Sequence, residues 1–161
     1  MPGAISNTSP LLYLHRLGTL DWLSALFAEV WVPDRVLGEL DEGRRKGFDV
    51  PLVTDYTWCT IVNPSSTPSE WLSLDLGAGE LAALALGLDH PERVVLLDDS
   101  LARRTATAAG LRAMGTLGVL LEVKKAGLVP RIEPYVKRLD AAGMWLSPEI
   151  KRRVLALARE P

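Results

Sequence analysis

Val94-Val95-Leu96-Leu97-Asp98-Asp99-Ser100-Leu101-Ala102-Arg103-Arg104 is the stretch on which the fold is read. Val94 to Leu97 is an unbroken apolar run of strand length, as expected of a strand buried on both sides. Asp98-Asp99-Ser100 ends it sharply, and a helix is expected from Leu101 to Ala109. Working outward, the same alternation recurs. Upstream, Ala4 to Ser6 is a short strand candidate. Ser9-Pro10 reads as a helix start, a capping hydroxyl followed by proline at the first helical position. Leu11, Leu14 and Leu17 give that helix an apolar face, and Gly18 ends it. A short helix is expected over Asp21 to Phe27, then a buried strand at Val30-Trp31-Val32. Pro33-Asp34 opens a helix through Glu39 and Leu40, and Trp58 to Val62 reads as an edge strand. Asn63 to Ser69 reads as a long surface loop. Gly77 to Leu88 is rich in the strong helix formers Ala and Leu.

Downstream, Gly110 to Met114 turns into a short strand, and Thr116 caps a helix reaching Ala126. Two helices follow, around Ile132 to Ala141 and Ser147 to Arg159. Strands alternating with helices imply a mostly parallel sheet covered on both faces, a three-layer α/β/α arrangement. One domain is expected over residues 1–161, since 161 residues suffice for one well-buried core and fall short of two ordinary domains.

Composition narrows the function classes. Hydrophobic residues at 48% and charged residues at 24% describe a folded globular chain. A formal net charge of −2 excludes a polycation that coats nucleic acid, so any such contact must come from local basic patches or from metal ions. A single cysteine, Cys59, permits no internal disulfide and suits a reducing cytoplasm. Charged residues interrupt every apolar stretch, so no membrane span is expected, and the opening residues lack the basic region of a signal peptide.

In parallel α/β sheets, functional groups gather past the carboxyl ends of the strands. Asn7, Thr8 and Ser9 follow the first strand, and Asp98 and Asp99 follow the clearest one. Glu39 lies on the helix after the second strand, and Glu80 opens an otherwise apolar helix. Each has a plain structural reading: Glu80 complements a helix dipole, Asp98 and Asp99 cap a helix, and Glu39 pairs with Arg35 or the Arg44-Arg45-Lys46 run. Together they form a carboxylate cluster, and clustered carboxylates are stable when a hard cation such as Mg²⁺ or Mn²⁺ offsets their repulsion. A cation so held acidifies bound water and stabilises charge on a phosphate oxygen.

Four segments carry a more specific signal: Ile5 through Leu11, Leu76-Gly77-Ala78-Gly79-Glu80, Leu96 through Arg103, and Gly115-Thr116-Leu117-Gly118. In order and spacing they resemble a bacterial and archaeal subfamily of the PIN domains, related to the VapC-type toxins. That resemblance implies the parallel-sheet fold, an acidic pocket for Mg²⁺ or Mn²⁺, and ribonuclease activity restrained by a cognate antitoxin. Carried over, the acidic positions fall on Glu39, Glu80 and Asp99, with Asp98 beside the last. Asn7 takes the first ligand position, where the family usually carries an aspartate; its amide oxygen can ligate a cation but brings no charge. Ser9, Arg103 and Thr116 take substrate-side positions, Arg103 to meet phosphate or brace a carboxylate. The carboxylates of Glu39, Glu80 and Asp99 are expected in one pocket, with Asn7 at its rim.

The remaining polar and aromatic residues are read as structural. His15 and His90 are expected at the surface, and no aromatic ladder for stacking bases is visible. Trp22, Trp71 and Trp145 are candidates for an oligomer surface, and a homodimer is the expected assembly. Arg44-Arg45-Lys46, Lys124-Lys125 and Lys151-Arg152-Arg153 are read as solvated helix faces, with guiding RNA the alternative reading for the first. Two readings compete with a ribonuclease. A PIN-fold protein that no longer cuts would act by binding RNA or a partner, and Asn7 favours it. A dehalogenase-type phosphatase needs a nucleophilic aspartate after the first strand, which Asn7-Thr8-Ser9 does not supply.

Overall fold

The alternation is borne out in a computed structural model that describes residues 2–161. Strands β1 (Ala4–Ser6), β2 (Val30–Val32), β3 (Cys59–Ile61), β4 (Val94–Leu96) and β5 (Arg112–Met114) pair in the order β3-β2-β1-β4-β5. Every pairing is parallel, with Ile5 opposite Trp31 on one side and Val95 on the other. The helices are α1 (Thr8–Arg16), α2 (Trp22–Leu26), α3 (Asp34–Arg45), α4 (Ala78–Asp89), α5 (Ser100–Ala108), α6 (Thr116–Lys125), α7 (Glu133–Ala142) and α8 (Pro148–Leu157).

Side-chain alternation in the strands creates the three layers. Ala4, Val30, Val32, Val94 and Leu96 point into a core shared with Leu11, Leu14, Leu23, Val36 and Val119 of the helices on one face. Ile5, Val95 and Leu97 point the other way, against Ala83, Leu84 and Leu86 of α4 and Ala102 and Ala106 of α5. A third cluster joins α6 to α7 and α8 through Leu120, Val136, Leu139 and Val154. Leu84 and Leu86 are fully buried, each contributing about 2 kcal/mol from area removed from water. Helix α4 lies close to the sheet because Gly87 has no side chain. A methyl there would stand 2.9 Å from Val95 Cγ2 and 3.0 Å from Leu111 Cδ1.

Two local expectations need correction. Helix α1 begins at Thr8 with Asn7 in the capping position, so Ser9 and Pro10 lie inside the first turn. Proline is tolerated there because the first turn's N–H groups have no intrahelical acceptor. Likewise Gly115, not Thr116, precedes α6. Residues 63–68 form the expected loop, and a 3₁₀ turn at Ser69–Ser73, not expected from the sequence, buries Trp71 against the α4 face of the core.

The strand order places the crevice. The chain steps from β1 outward to β2 and β3, then returns to lay β4 on the other side of β1. The order therefore reverses between β1 and β4, where open α/β sheets leave a crevice at the carboxyl ends. The opposite end is closed: the Arg93 guanidinium lies 3.3 Å from the Trp31 ring centroid and donates to the carbonyls of Ala4 and Glu29, each at 3.2 Å.

Candidate metal centre

Helices α1, α5 and α6 follow their strands almost immediately, so their N-termini face the carboxyl end of the sheet. Helix N-termini carry partial positive charge, which offsets carboxylates gathered there. The acidic positions use this directly. Asp99 caps α5, its Oδ2 accepting from Ala102 N at 2.9 Å. Glu80 folds back on α4, its Oε1 accepting from Gly77 N at 2.8 Å. Asp98 reaches α6, its Oδ1 accepting from Thr116 N at 2.7 Å and its Oδ2 from the Thr116 hydroxyl at 2.8 Å.

Asn7 occupies the crevice itself. Its backbone N–H donates to Leu96 O at 3.1 Å, tying the end of β1 to β4. The residue is buried at 3% exposure, at the floor of the site rather than its rim. Its Oδ1 is fully buried and has no hydrogen-bond partner among the described residues. Burying an amide oxygen without a partner costs about 1–3 kcal/mol, a cost that a bound cation or an ordered water would relieve. Glu39 approaches the same place from α3, held by the Thr8 hydroxyl, which donates to its Oε1 at 2.5 Å. Gly79 completes the gap: a methyl there would overlap Glu39 Oε1 and stand 2.9 Å from Asn7 Oδ1. Thr8 at the strand end and Gly79 in its motif were visible in the sequence, but neither carried an expected role in the site. Their signals were present in the hydroxyl beside Asn7 and the second glycine of Gly77-Ala78-Gly79-Glu80.

Glu80 and Asp99 stand near enough to interact. Burial raises the Glu80 pKa most strongly, the Gly77 hydrogen bond opposes this, and the charges of Asp99, Glu39 and Asp75 push it further up. Each of the two caps with one oxygen and leaves the other, Glu80 Oε2 and Asp99 Oδ1, without a hydrogen bond among the described residues. Asp98 is turned elsewhere. Burial raises its pKa as well, against the two hydrogen bonds from Thr116 and the charge of Arg103. Arg103 Nη1 donates to the backbone carbonyls of Leu97, at 3.3 Å, and Asp98. Gly115 allows this close packing, since a methyl there would lie 3.0 Å from Asp98 Oδ1 and 3.2 Å from Arg103 Nη1. Thr116 is fully buried, so its hydroxyl serves to fix Asp98.

The acidic positions therefore divide. Glu39 and Thr8 line a cavity of about 630 Å³, while Asp98, Arg103 and Gly115 line a second of about 460 Å³. Among the described residues, no three His, Cys, Asp or Glu side chains stand together so as to hold a metal ion. The donor set nevertheless fits a hard cation at Asn7. An orphaned amide oxygen and the Glu39 carboxylate flank a gap that glycine keeps open, and carboxylates with unused oxygens lie nearby. Ser9 sits half-buried beside this group on α1. The basic run of α3 contributes nothing here: Arg44 pairs with Asp41, and Arg45 and Lys46 pair with Glu42, on their own helix.

No curated protein and no solved structure matches the chain. The profile of a PIN-domain family matches residues 3–160, nearly its whole length. Match, parallel five-stranded sheet and acidic crevice agree, and the chain belongs to the PIN-domain family.

Proposed function

We propose that this PIN domain is an endoribonuclease dependent on Mg²⁺ or Mn²⁺, acting as the toxin of a toxin–antitoxin pair. PIN domains are generally nucleases, and the observation that carries metal dependence is the buried, unpartnered Asn7 Oδ1 facing Glu39 across Gly79. Asn7 and Glu39 would hold the ion, and Glu80 and Asp99, the other positions carried over by the resemblance, would add negative charge nearby. When bound, such an ion acidifies water and offsets charge on a phosphodiester oxygen. The protein's own residues do the rest. Thr8 fixes the Glu39 carboxylate, and Asp98, held by Thr116, aligns the β4 end with α6. Arg103 and Ser9 face the substrate side, with the free guanidinium nitrogens of Arg103 positioned for phosphate. The antitoxin follows from the resemblance to VapC-type toxins, a cytoplasmic setting suits the single cysteine Cys59, and a homodimer remains the proposed assembly. Among the described residues no helix is long and apolar enough to cross a membrane.

Asp99→Asn tests the proposal cleanly. Asparagine caps a helix as well as aspartate, so α5 should persist while the site loses a charge. The expected outcome is loss of cleavage of a mixed RNA pool in Mn²⁺, with the thermal midpoint unchanged and a chelator control inactive. Cleavage surviving in Asp99→Asn would refute the assignment. The second reading, a PIN protein that binds without cutting, is favoured by the neutral Asn7. It would gain if neither the parent nor Asn7→Asp cuts, because the added charge should tighten metal about tenfold and speed cleavage.

A further inference from the structure

We propose that Trp145 is a nucleobase platform that positions an unpaired stretch of the nucleic acid beside the acidic crevice. This inference rests on the nuclease reading above and adds a positioning residue to it. Trp145 is 78% exposed, more than any other large hydrophobic side chain among the described residues. Tryptophan normally hides most of its surface, so so open a ring needs a reason. Its neighbours show that the exposure is built in. Leu146 is buried with Leu17 and Leu120, and Met144 packs on the same cluster.

The loop that carries the ring is fixed on both sides. Gly143 ends α7 with a φ of 107°, and Met144 N donates to Leu139 O at 2.9 Å. Asp140 accepts from Leu146 N at 3.4 Å and from Lys151 Nζ at 2.5 Å. Ser147 then caps α8, accepting from Ile150 N at 3.2 Å. The backbone is held while the indole is left outside, so stacking on it costs little ordering.

The position of the ring names the occupant. Trp145 lines the 460 Å³ cavity together with Asp98, Arg103, Gly115, Met144 and Ile150. The lining therefore combines an exposed indole with an arginine. Arg103 Nε and Nη2 make no hydrogen bond among the described residues, and the exposed Arg104 beside it forms no ion pair among them. A base stacked on indole with its phosphate toward a cation matches this pairing of surfaces. An apolar protein segment would cover Trp145 and Ile150 but leave the unused Nε and Nη2 of Arg103 desolvated without an acceptor. A duplex keeps its bases within the stack, so only unpaired nucleotides can use the platform.

The test measures binding rather than cutting. Anisotropy of a fluorescein-labelled RNA oligonucleotide pool of mixed sequence, single-stranded or annealed as duplex, is followed in chelator for the parent, Trp145→Ala and Trp145→Phe. Trp145→Ala should weaken single-strand binding by about 5- to 100-fold, and Trp145→Phe by no more than about 3-fold. Duplex binding and the thermal midpoints should stay as in the parent. Equal affinity of Trp145→Ala and parent for single strands overturns the platform, as does an equal loss for both forms of RNA. A Trp145→Ala variant that instead changes sedimentation from dimer to monomer also overturns it, making the face a contact between copies. If Trp145→Ala binds and cuts like the parent while Asp99→Asn is inactive, the platform fails and the nuclease reading stands. If the parent binds no single-stranded RNA in chelator, the platform falls, and the nuclease reading is decided separately by cleavage in Mn²⁺.

Discussion

Gly79→Ala separates stability from metal binding more sharply than any other single change. Alanine is favoured over glycine by about 1 kcal/mol in a helix interior, and Gly79, in the first turn of α4, should gain at most that much from the exchange. Here the added carbon would overlap Glu39 Oε1 and press on the buried Asn7 Oδ1 at 2.9 Å. Glu39 is exposed and flexible, so it swings away and gives up the Thr8 hydrogen bond, about 0.5–1 kcal/mol at such a site. Shifting Asn7 by a few tenths of an ångström adds a packing cost of about 1 kcal/mol. The net change is a loss of about 0.5–2 kcal/mol, a midpoint drop of a few degrees. Gly38→Ala in α3 makes the calibration, because nothing lies within 4 Å of its added carbon. That variant should gain the propensity term in full and melt about 2–4 °C higher. Mn²⁺ affinity by calorimetry should fall at least about tenfold in Gly79→Ala, since one donor is displaced and the gap is filled. Parental Mn²⁺ affinity in a folded Gly79→Ala protein would refute the placing of the ion between Asn7 and Glu39.

The neighbouring acids of β4 should respond oppositely to the same change. Asp98→Asn puts an amide N–H₂ group against a Thr116 donor inside the protein and should cost about 1–3 kcal/mol, whereas Asp99→Asn keeps its cap and should not move the denaturation midpoint; equal losses in the two would refute the division of roles. Glu160 provides a pH prediction. Burial raises its pKa most, but hydrogen bonds from Ile132 N, Lys124 and Glu133 N together outweigh this and hold it below the usual 4.5. A depressed carboxyl pKa contributes stability above the unfolded value and loses it as pH falls through the folded one. Glu160→Gln should therefore cost about 2 kcal/mol at neutral pH, and the gap to the parent should close as pH falls below about 4.5. A gap unchanged in acid would show that shape, not charge, holds the C-terminal end against α7.

Much of the fold was legible because it depends on local, repeated signals. Val94 to Leu97 has no polar face, and Ala4–Ser6 and Val30–Val32 carry side chains needed by both layers, so a sheet covered on two sides follows from the chain alone. The candidate acids were also legible, since the residues after parallel strands are few. The sequence could not show which way each side chain turns. Asp98 and Asp99 are adjacent, yet one reaches the start of α6 and the other caps α5, a choice made by where the β5–α6 turn lands. Ser9 looked like the cap because proline follows it, but the β1–β4 pairing places Asn7 at the strand end and Thr8 against Glu39. That Asn7 is buried with an empty acceptor, that Gly79 keeps room beside it, and that Trp145 stands exposed next to Arg103 are relations between segments far apart in the chain. Only the packing of α3, α4 and the α7–α8 loop around the end of the sheet brings them about. Periodicity and composition determine the layers; the distances within the site arise from packing that no local pattern encodes.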